Sequence, residues 1–348
     1  MSVAFRNNIA RMEGYQPGEQ PQEGGYIKLN TNENPYPPSP MVRRAVMSEL
    51  KDTLRLYPDP DSTRLRRQAA STYGFDISQT IAGSGSDDLL AMIARAFIGE
   101  KDALCCPVPT YSLYETLVRI QGGRILGIPY PDDFALPARI FRSRANVTMV
   151  ASPNSPSGTE VPLPVLSRLA DSVPGLLVVD EAYADFANES ALSLARERKN
   201  VIVLRTMSKS FSLAGLRIGL GFAHSRIIRG LNKVKDSYNM NRLSMAAGEA
   251  ALRDIAWMER NAARIKRTRE RLVRALPGVG FSPFPSQANF VLARRAGGKS
   301  AAPVYEGLKK RKILVRYFDT PRLSGCLRIT VGTDKEIDAL LSALGKLR

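Results

Sequence analysis

A lysine with an arginine close to it in the chain is the first place where chemistry could occur. Lys209 lies in the segment TMSKSFSLAGLRIG, which directly follows the apolar run VIVLR. A lysine at the carboxyl end of a buried strand lies where α/β sheets bind ligands, and partial desolvation there lowers its pKa so that it can act as a nucleophile. A solvated loop lysine is the alternative for such a tripeptide taken alone. Arg217, within LAGLRIG, favours the functional interpretation.

A carboxylate follows a second apolar run. Asp180 ends the run LLVVD, and Tyr183 lies three residues later. The end of an apolar strand is again an edge at which ligands bind, but an aspartate at that position also caps the helix that follows. Both interpretations stay open for Asp180 taken in isolation.

Two loops carry further groups suited to ligands. The segment GSGSDDLLAMIARAF is a glycine-rich turn that opens an amphipathic helix, and free backbone N–H groups at a helix start attract an anion. Gly85, Ser86 and Asp87 are therefore the predicted anion contacts, with an ordinary capped helix as the alternative. The loop ASPNSPSG, which contains Asn154, follows the run VTMVA, and a plain turn accounts for it almost as well.

The elements that must position these residues have the pattern of a doubly wound α/β core. Short runs that are apolar on both faces, as in buried parallel strands, are separated by helical patterns. The predicted strands are 147–151, 176–179, 201–204 and 218–222, and the predicted helices are 87–97, 161–172 and 243–276.

The rest of the chain predicts a smaller α+β unit and an arm. Strands at 288–293, from Ile313 and in CLRITVG alternate with helices at 302–310 and from Asp334. The first thirty or so residues are rich in Gly, Pro and Gln, which indicates an arm. The predicted division is an arm at 1–35 that forms part of the small domain, a large domain at 36–245 and a small C-terminal domain at 246–348.

Taken together, these motifs resemble those of fold-type I aminotransferases, and S-K-x-x-x-L-A-G-L-R-x-G is close to the pattern of the histidinol-phosphate aminotransferase family. The resemblance runs from YQPG and LNTNENPYPP to LRITVG, with every motif in family order. The loop ASPNSPSG departs from the family pattern N-P-N-x-P-T-G at Ser152 and Ser157, but Asn154 is retained. The resemblance implies a large doubly wound domain with a mainly parallel sheet, a smaller α+β domain, and pyridoxal 5′-phosphate as cofactor.

The resemblance also implies the cofactor contacts. Lys209 forms the Schiff base and moves the proton of the reaction, and Asp180 keeps the pyridine nitrogen protonated. Tyr183 and Asn154 contact the phenolic oxygen of the ring, and Tyr111 stacks on its face. The residues implied to hold the phosphate are Gly85, Ser86, Asp87, Ser208 and Arg217.

Further matches concern the substrate and a partner subunit. Tyr57, in YPDPDSTRLR, is implied to reach the cofactor phosphate of a neighbouring protomer, and hence to require a two-fold homodimer with shared sites. Arg328 matches the arginine that binds the substrate α-carboxylate, and Arg316 matches an additional arginine of the histidinol-phosphate group. Tyr15 in YQPG and Asn34 in NENPYPP are the other implied substrate contacts. For an exposed strand arginine, a solvated surface charge is the alternative.

Composition excludes several other classes. A single histidine, His224, excludes multi-histidine metal chemistry, and no metal is expected. Cys105, Cys106 and Cys326 form neither a disulfide framework nor a metal-ligand spacing. The first residues lack the apolar core of a secretory signal, and no segment reaches the roughly 18 apolar residues of a membrane span. A cytoplasmic protein without membrane contact is expected.

The high positive charge leaves one non-enzyme alternative. The formal net charge is +17, from 50 Lys and Arg against 33 Asp and Glu. The densest basic run, 260–274, has apolar residues interleaved and is typical of the solvated face of a helix. A nucleic-acid-binding protein is therefore the alternative from another class, but no nucleic-acid motif accompanies the charge, and no nucleic-acid partner is expected.

The predicted reaction is a transamination between a small-molecule amino donor and a 2-oxo acid. L-histidinol phosphate and 2-oxoglutarate would give imidazole acetol phosphate and L-glutamate, a step of histidine biosynthesis. YQPG, NENPYPP and the paired Arg316 and Arg328 favour this donor. An aromatic amino acid aminotransferase and a threonine-phosphate decarboxylase share the same machinery and remain the alternatives.

Overall fold

The computed structural model describes residues 4–15, 18–21 and 23–347. Over these residues the strands form two sheets, with helices packed against both. The strands are β1 (Ile27–Leu29), β2 (Thr80–Ser84), β3 (Ala103–Val108), β4 (Arg124–Pro129), β5 (Val147–Ala151), β6 (Leu176–Asp180), β7 (Val201–Thr206), β8 (Ile218–Ala223), β9 (Phe281–Pro283), β10 (Phe290–Arg295), β11 (Ile313–Tyr317) and β12 (Cys326–Thr330). The helices are α1 (Asn7–Arg11), α2 (Pro40–Glu49), α3 (Thr63–Tyr73), α4 (Ser86–Phe97), α5 (Leu113–Ile120), α6 (Leu163–Ser172), α7 (Leu192–Glu197), α8 (Ser225–Asn232), α9 (Arg242–Arg253), α10 (Ile255–Ala275), α11 (Ala302–Lys310) and α12 (Asp334–Gly345).

The larger sheet has seven strands in the order β2-β8-β7-β6-β5-β3-β4. The strands β4, β3, β5, β6 and β7 pair in parallel. Strand β8 is antiparallel to both of its neighbours, β7 and β2. The carboxyl ends of the parallel strands therefore lie along one edge of the sheet, which is where ligands bind in open α/β folds.

Both faces of this sheet are covered by helices. In β6, Leu176 and Val178 pack in the apolar cluster that includes α4, α5 and α8. Leu177 and Val179 pack on the opposite face, in the cluster that includes α6, α7 and α9. Because successive side chains of a strand point to opposite faces, a strand that is buried on both is apolar throughout. This explains the uninterrupted apolar runs in the sequence.

The smaller sheet has five strands in the order β1-β11-β12-β10-β9. Strand β1 pairs in parallel with β11, and the other pairs are antiparallel. The segment before residue 35 thus contributes a strand to the C-terminal sheet. Helix α10 joins the two units, because Ile265 packs in the core of the larger sheet and Leu272 in the core of the smaller one.

Side-chain caps define where several helices begin. Thr333 and Glu336 form a capping box at the start of α12. Ser39 accepts a backbone N–H at the start of α2. His224 accepts the backbone N–H of Arg226 at the start of α8, so the single histidine has a structural contact there.

The predicted fold class, a doubly wound α/β core with a second α+β unit, is confirmed. The single helix predicted at 243–276 is wrong, because Asp254 leaves the helical conformation (φ −118°, ψ 50°) and separates α9 from α10. Its carboxylate accepts a hydrogen bond from Ser39, which holds this break in place. The domain boundaries at residues 35 and 245 stay a prediction. Among the described helices, none is both long and apolar enough to cross a membrane.

Candidate active site

A pocket of about 350 Å³ brings together most of the predicted site residues. It lies where the carboxyl ends of β5, β6 and β7 meet the segment after β1 and the strands β11 and β12. The predicted site residues that line it are Tyr15, Ser86, Asp87, Tyr111, Asp180, Tyr183, Ser208, Lys209, Arg217, Arg316 and Arg328.

The amine of Lys209 is buried in this pocket. Its Nζ donates a hydrogen bond to the backbone carbonyl of Thr31 at 3.2 Å. Burial, and after it the positive charge of Arg328, lowers the pKa of the Lys209 amine from 10.5 to about 8. Glu33 and Asp87 raise that pKa by smaller amounts. The amine is therefore partly neutral near pH 8, and a neutral amine is the form that attacks a carbonyl carbon.

Asp180 is buried at the end of β6 and is held by neutral hydrogen-bond donors. The Tyr114 hydroxyl donates to Oδ2 at 2.6 Å, and the backbone N–H of Ala182 donates to Oδ1 at 3.2 Å. Burial raises the pKa of the Asp180 carboxyl to about 6, although both hydrogen bonds act to lower it. At pH 7 the carboxylate is mainly charged, so a cationic group of a ligand would stabilise it.

An anion cradle lies where β2 turns into α4. Gly85 has a φ of +84°, which brings the backbone round so that α4 begins at Ser86. The guanidinium of Arg217 lies beside this turn and forms an ion pair with Asp87 at 2.8 Å. The hydroxyl of Tyr111 donates to the other oxygen of Asp87 at 3.2 Å. The helix start and the guanidinium together suit a phosphate.

Two glycines allow this cradle to form. A Cβ atom at Gly219 of β8 would lie 2.4 Å from the backbone carbon of Gly85 and 2.6 Å from the backbone nitrogen of Ser86. A Cβ atom at Gly85 would lie 2.6 Å from Nη2 of Arg217. The turn can therefore lie this close to β8 and to the guanidinium because Gly85 and Gly219 have no Cβ atom.

The loop that carries Lys209 is fixed from two sides. The side-chain amide of Asn34 donates to the backbone carbonyls of Lys209 and Ser210, both at 3.0 Å. The Ser210 hydroxyl donates to Asp185, and Asp185 pairs with the buried guanidinium of Arg205 at 2.7 Å. Asn34, a predicted substrate contact, thus lies against the backbone of the lysine loop.

Aromatic rings form the walls beside the amine. Asn32 donates to the Tyr183 hydroxyl at 2.9 Å, and Lys209 Nζ lies 6.0 Å from the centre of the Tyr183 ring. Burial raises the pKa of the Tyr183 hydroxyl, so it is a protonated phenol at neutral pH. Tyr111 and Tyr15 meet edge to face with 5.9 Å between their ring centres. Tyr15 therefore closes the side of the pocket nearest to Tyr111.

The two predicted substrate arginines lie opposite each other on adjacent strands. Arg316 of β11 and Arg328 of β12 are Cα partners in the antiparallel ladder. Arg328 donates to Ser155 Oγ at 3.1 Å and to the backbone carbonyl of Asn30 at 2.8 Å. Its buried Nε has no hydrogen-bond partner among residues 4–15, 18–21 and 23–347. Both guanidinium groups lie near the ring of Phe318.

Some predicted residues lie outside the lining. Asn154 is fully buried. Its side-chain oxygen accepts a hydrogen bond from the Thr110 hydroxyl at 2.9 Å, and its side-chain NH₂ group donates to Ser157 Oγ in its own loop at 2.9 Å. Tyr57 is 78% exposed and stacks on Tyr238 with 4.4 Å between ring centres. Gln16 and Pro17 of the YQPG motif are outside the described residues.

Several pocket residues were missed by the sequence analysis. Thr31 accepts the hydrogen bond of the lysine amine, Tyr114 holds Asp180, and Thr206 lies 3.0 Å from Ser208 between their hydroxyl oxygens. Ser and Thr in loops are too common to single out. Tyr114, in the first turn of α5 and three residues after Tyr111, was the strongest signal available.

Comparison with known proteins gives the family. The sequence matches the family described as aminotransferase class I and II over residues 25–344. The chain therefore belongs to the class I and II aminotransferases. A relative from Nostoc sp., named histidinol-phosphate aminotransferase 1, is 45% identical, with 100% of this chain and 99% of the relative covered.

Solved structures agree with this placement. A histidinol-phosphate aminotransferase from Sinorhizobium meliloti in complex with pyridoxal-5′-phosphate has a TM-score of 0.90 at 28% identity, covering 99% of this chain and 97% of that one. The L-threonine-O-3-phosphate decarboxylase from Porphyromonas gingivalis has a TM-score of 0.82 at 22% identity, covering 92% and 98%. The second likeness concerns the fold alone, so the fold does not separate the transamination from the decarboxylation.

Gly219→Ala tests whether the cradle depends on the close approach of β8 to Gly85. The added methyl must push the turn away, at a cost of about 1–3 kcal/mol. We expect the affinity of the apoprotein for pyridoxal phosphate, measured by fluorescence titration, to fall about 10-fold or more, and that for pyridoxal to fall much less. Gly215→Ala is the matched control, because a Cβ atom there meets nothing within 4 Å. Equal titrations for the two variants would contradict the assignment of the cradle.

Proposed function

We propose that this enzyme transfers the amino group of L-histidinol phosphate to 2-oxoglutarate, with pyridoxal 5′-phosphate as its cofactor. The products are imidazole acetol phosphate and L-glutamate. The observation that carries the proposal is a buried lysine amine with a pKa near 8, in one pocket with a buried carboxylate and an anion cradle. Full-length similarity to histidinol-phosphate aminotransferases supports the choice of donor.

The residues present fit this cofactor. The cradle at Gly85, Ser86 and Arg217 offers donors for a phosphate dianion. Asp180 is a buried carboxylate held by neutral donors, and a cationic ring nitrogen would compensate its charge. Lys209 supplies the amine that would bind the aldehyde. When bound, pyridoxal phosphate supplies an electron-withdrawing ring that stabilises negative charge on the carbon next to the amino group.

The chain's own residues then divide the remaining work. Lys209 Nζ can take and give a proton close to neutral pH, because burial has brought its pKa to about 8. Asp180 provides a fixed negative charge away from bulk water, where electrostatic stabilisation is strongest. Tyr111 and Tyr15 cover the pocket and exclude water from one side.

The paired arginines support a donor that carries a phosphate. L-histidinol phosphate has a phosphate ester and no carboxylate, whereas L-glutamate has two carboxylates. Arg316 and Arg328 lie side by side across β11 and β12, so one pair of guanidinium groups can bind either kind of anion. Burial favours loss of the charge on Arg328 and lowers its pKa, and a bound anion would counter this effect.

The proposal includes a homodimer in the cytoplasm. Exposed apolar side chains are concentrated in α2 and the turn after it, which is typical of a subunit interface. Cys105, Cys106 and Cys326 are free and buried, as is usual in reducing compartments. The exposed apolar residues of this segment are Met47, Leu50, Leu54, Leu56 and Tyr57.

Lys209→Ala should lower turnover at least about 10³-fold and abolish the visible absorbance that develops when cofactor is added. In the wild-type apoprotein, the rate at which this absorbance develops should rise as the pH passes through 8, because the neutral amine is the reactive form. Lys310→Ala, at the exposed end of α11, is the matched control and should behave as wild type. A coloured and active Lys209→Ala protein would disprove the role of this residue.

A panel of amino donors with 2-oxoglutarate, assayed for glutamate, tests the substrate. We expect kcat/KM for L-histidinol phosphate to exceed that for L-histidinol about 100-fold, because charge-assisted contacts with phosphate are lost with the ester. Arg316→Gln should reduce this preference, and Arg294→Gln, an exposed arginine of the same sheet, should not. Preference for phenylalanine or tyrosine, or carbon dioxide release from threonine phosphate, would replace the proposed donor by one of the alternatives.

Sedimentation equilibrium tests the homodimer. The wild-type protein should sediment at twice the monomer mass, and Leu54→Asp should dissociate because a carboxylate replaces an apolar contact. Leu126→Asp is the control, since Leu126 is similarly exposed but lies on β4 at the far edge of the large sheet. A monomeric wild-type protein at micromolar concentration would refute the dimer.

A further inference from the structure

A hydrogen-bonded network of uncharged side chains connects the smaller sheet to Tyr183. Asn32, which follows β1, is buried and has a φ of 57°, a left-handed conformation that asparagine tolerates. Its backbone N–H donates to Thr330 Oγ1 at 3.0 Å, and the Thr330 hydroxyl lies 3.1 Å from Asn32 Oδ1. Asn289 donates to the backbone carbonyl of Asn32 at 2.9 Å. The position of Asn32 is thus fixed by two residues of the C-terminal part of the chain.

This network has a definite direction. A backbone N–H can only donate, so Thr330 Oγ1 accepts from Asn32 and its own hydrogen is free for Asn32 Oδ1. That contact turns Nδ2 of Asn32 towards the Tyr183 hydroxyl, 2.9 Å away. The opposite orientation of the amide would bring two donors to Oγ1 and take away the acceptor of the Thr330 hydrogen, at a cost of about 1–3 kcal/mol for a buried group.

The direction determines what the Tyr183 hydroxyl can do. An amide NH₂ group has no acceptor, so the phenol oxygen must accept from Asn32, and the phenol hydrogen points away from it. We propose that Asn32 and Thr330 are positioning residues that hold Tyr183 as a hydrogen-bond donor toward the oxygen on the cofactor ring. The inference rests on the proposed function, because it needs pyridoxal phosphate in the pocket.

Three charged groups and one serine lie around Tyr183. Arg328 of β12, Asp180 of β6 and Lys209 after β7 act on its hydroxyl through charge or lie against its ring. Ser155 is a further hydrogen-bond partner of the hydroxyl. Its oxygen accepts from Arg328, so its own hydrogen is free to be donated to the Tyr183 oxygen, and the contact lowers the pKa of Tyr183 as a donor does. Because Asn32 is uncharged, its contribution is the direction of the hydrogen bond, which an isosteric substitution can reverse.

Asn32→Asp makes this reversal with little change of shape. Aspartate also tolerates the left-handed conformation, and one carboxylate oxygen can still accept from Thr330. The other oxygen can only accept, so the phenol hydrogen should turn to it and away from the pocket. With pyridoxal phosphate bound through Lys209 Nζ, loss of the proton on this nitrogen would change the visible absorbance. Loss of the donor to the ring oxygen should raise the apparent pKa of that change by about one unit.

The controls separate direction from charge and from packing. Thr330→Val keeps the shape and removes the hydroxyl, so a smaller rise is expected, whereas Thr330→Ser should restore the wild-type titration. The added negative charge of Asn32→Asp could itself raise the apparent pKa, so the substitution is repeated in Tyr183→Phe. Tyr183→Phe alone should give the rise, and whatever shift Asn32→Asp adds in that background measures the effect of the charge alone.

Absorbance titrations of the holoenzyme decide between these outcomes. A rise in Asn32→Asp that is clearly larger than the shift the same substitution adds in the Tyr183→Phe background supports the inference. A shift of the same size in both backgrounds, or an Asn32→Asp protein that titrates as wild type, overturns it. A wild-type protein that develops no visible absorbance with pyridoxal phosphate overturns the proposed function itself, which is a different result from a titration that does not move.

Discussion

Desolvation of opposite charges in one pocket is the constraint on which the site depends. Burial lowers the pKa of the Lys209 amine to about 8 and raises that of the Asp180 carboxyl to about 6, because removal from water disfavours each charged form. Neutral partners hold both groups, a backbone carbonyl at the amine and a phenol at the carboxylate. A ligand that brings a carbonyl to the Lys209 amine and a cationic group to the Asp180 carboxylate replaces the stabilisation that both groups lose when water is removed. The same burial thus prepares the site for binding and for proton transfer.

The reversed direction of β8 places Lys209 and Arg217 in one loop. Strand β7 ends at the ligand-binding edge of the sheet, and β8 starts at the same edge because it runs antiparallel. The connection between them is therefore short and carries both Lys209 and Arg217. A parallel β8 would start at the opposite edge and take Arg217 with it. Gly219, the second residue of β8, then lets the strand touch the turn at Gly85, which brings the start of α4 to the guanidinium.

Much of this arrangement could be predicted from the sequence, because it follows from local patterns. Lys209 and Asp180 each follow a run that is apolar on both faces, and the edge rule for α/β sheets brings such strand ends together. The direction of β8 could not be predicted, since a strand buried on both faces has the same apolar pattern in either direction. The helix predicted over 243–276 failed at Asp254, whose carboxylate accepts a hydrogen bond from Ser39, far away in the chain. Thr31 and Asn32 were missed for the same reason, because their partners are distant in sequence.

The segment after β1 has a larger role than its composition indicates. Strand β1 belongs to the smaller sheet, yet Thr31 and Asn32, two and three residues after its end, contact Lys209 and Tyr183 of the larger unit. The same segment offers the carbonyl of Asn30 to Arg328. Three successive residues thus connect the guanidinium of Arg328, the amine of Lys209 and the phenol of Tyr183 through backbone and amide groups alone. Since these contacts have fixed lengths and directions, the smaller sheet and the amine cannot shift relative to each other without breaking at least one of them. The precision of the site therefore depends on how the two sheets are joined as much as on the residues that each supplies.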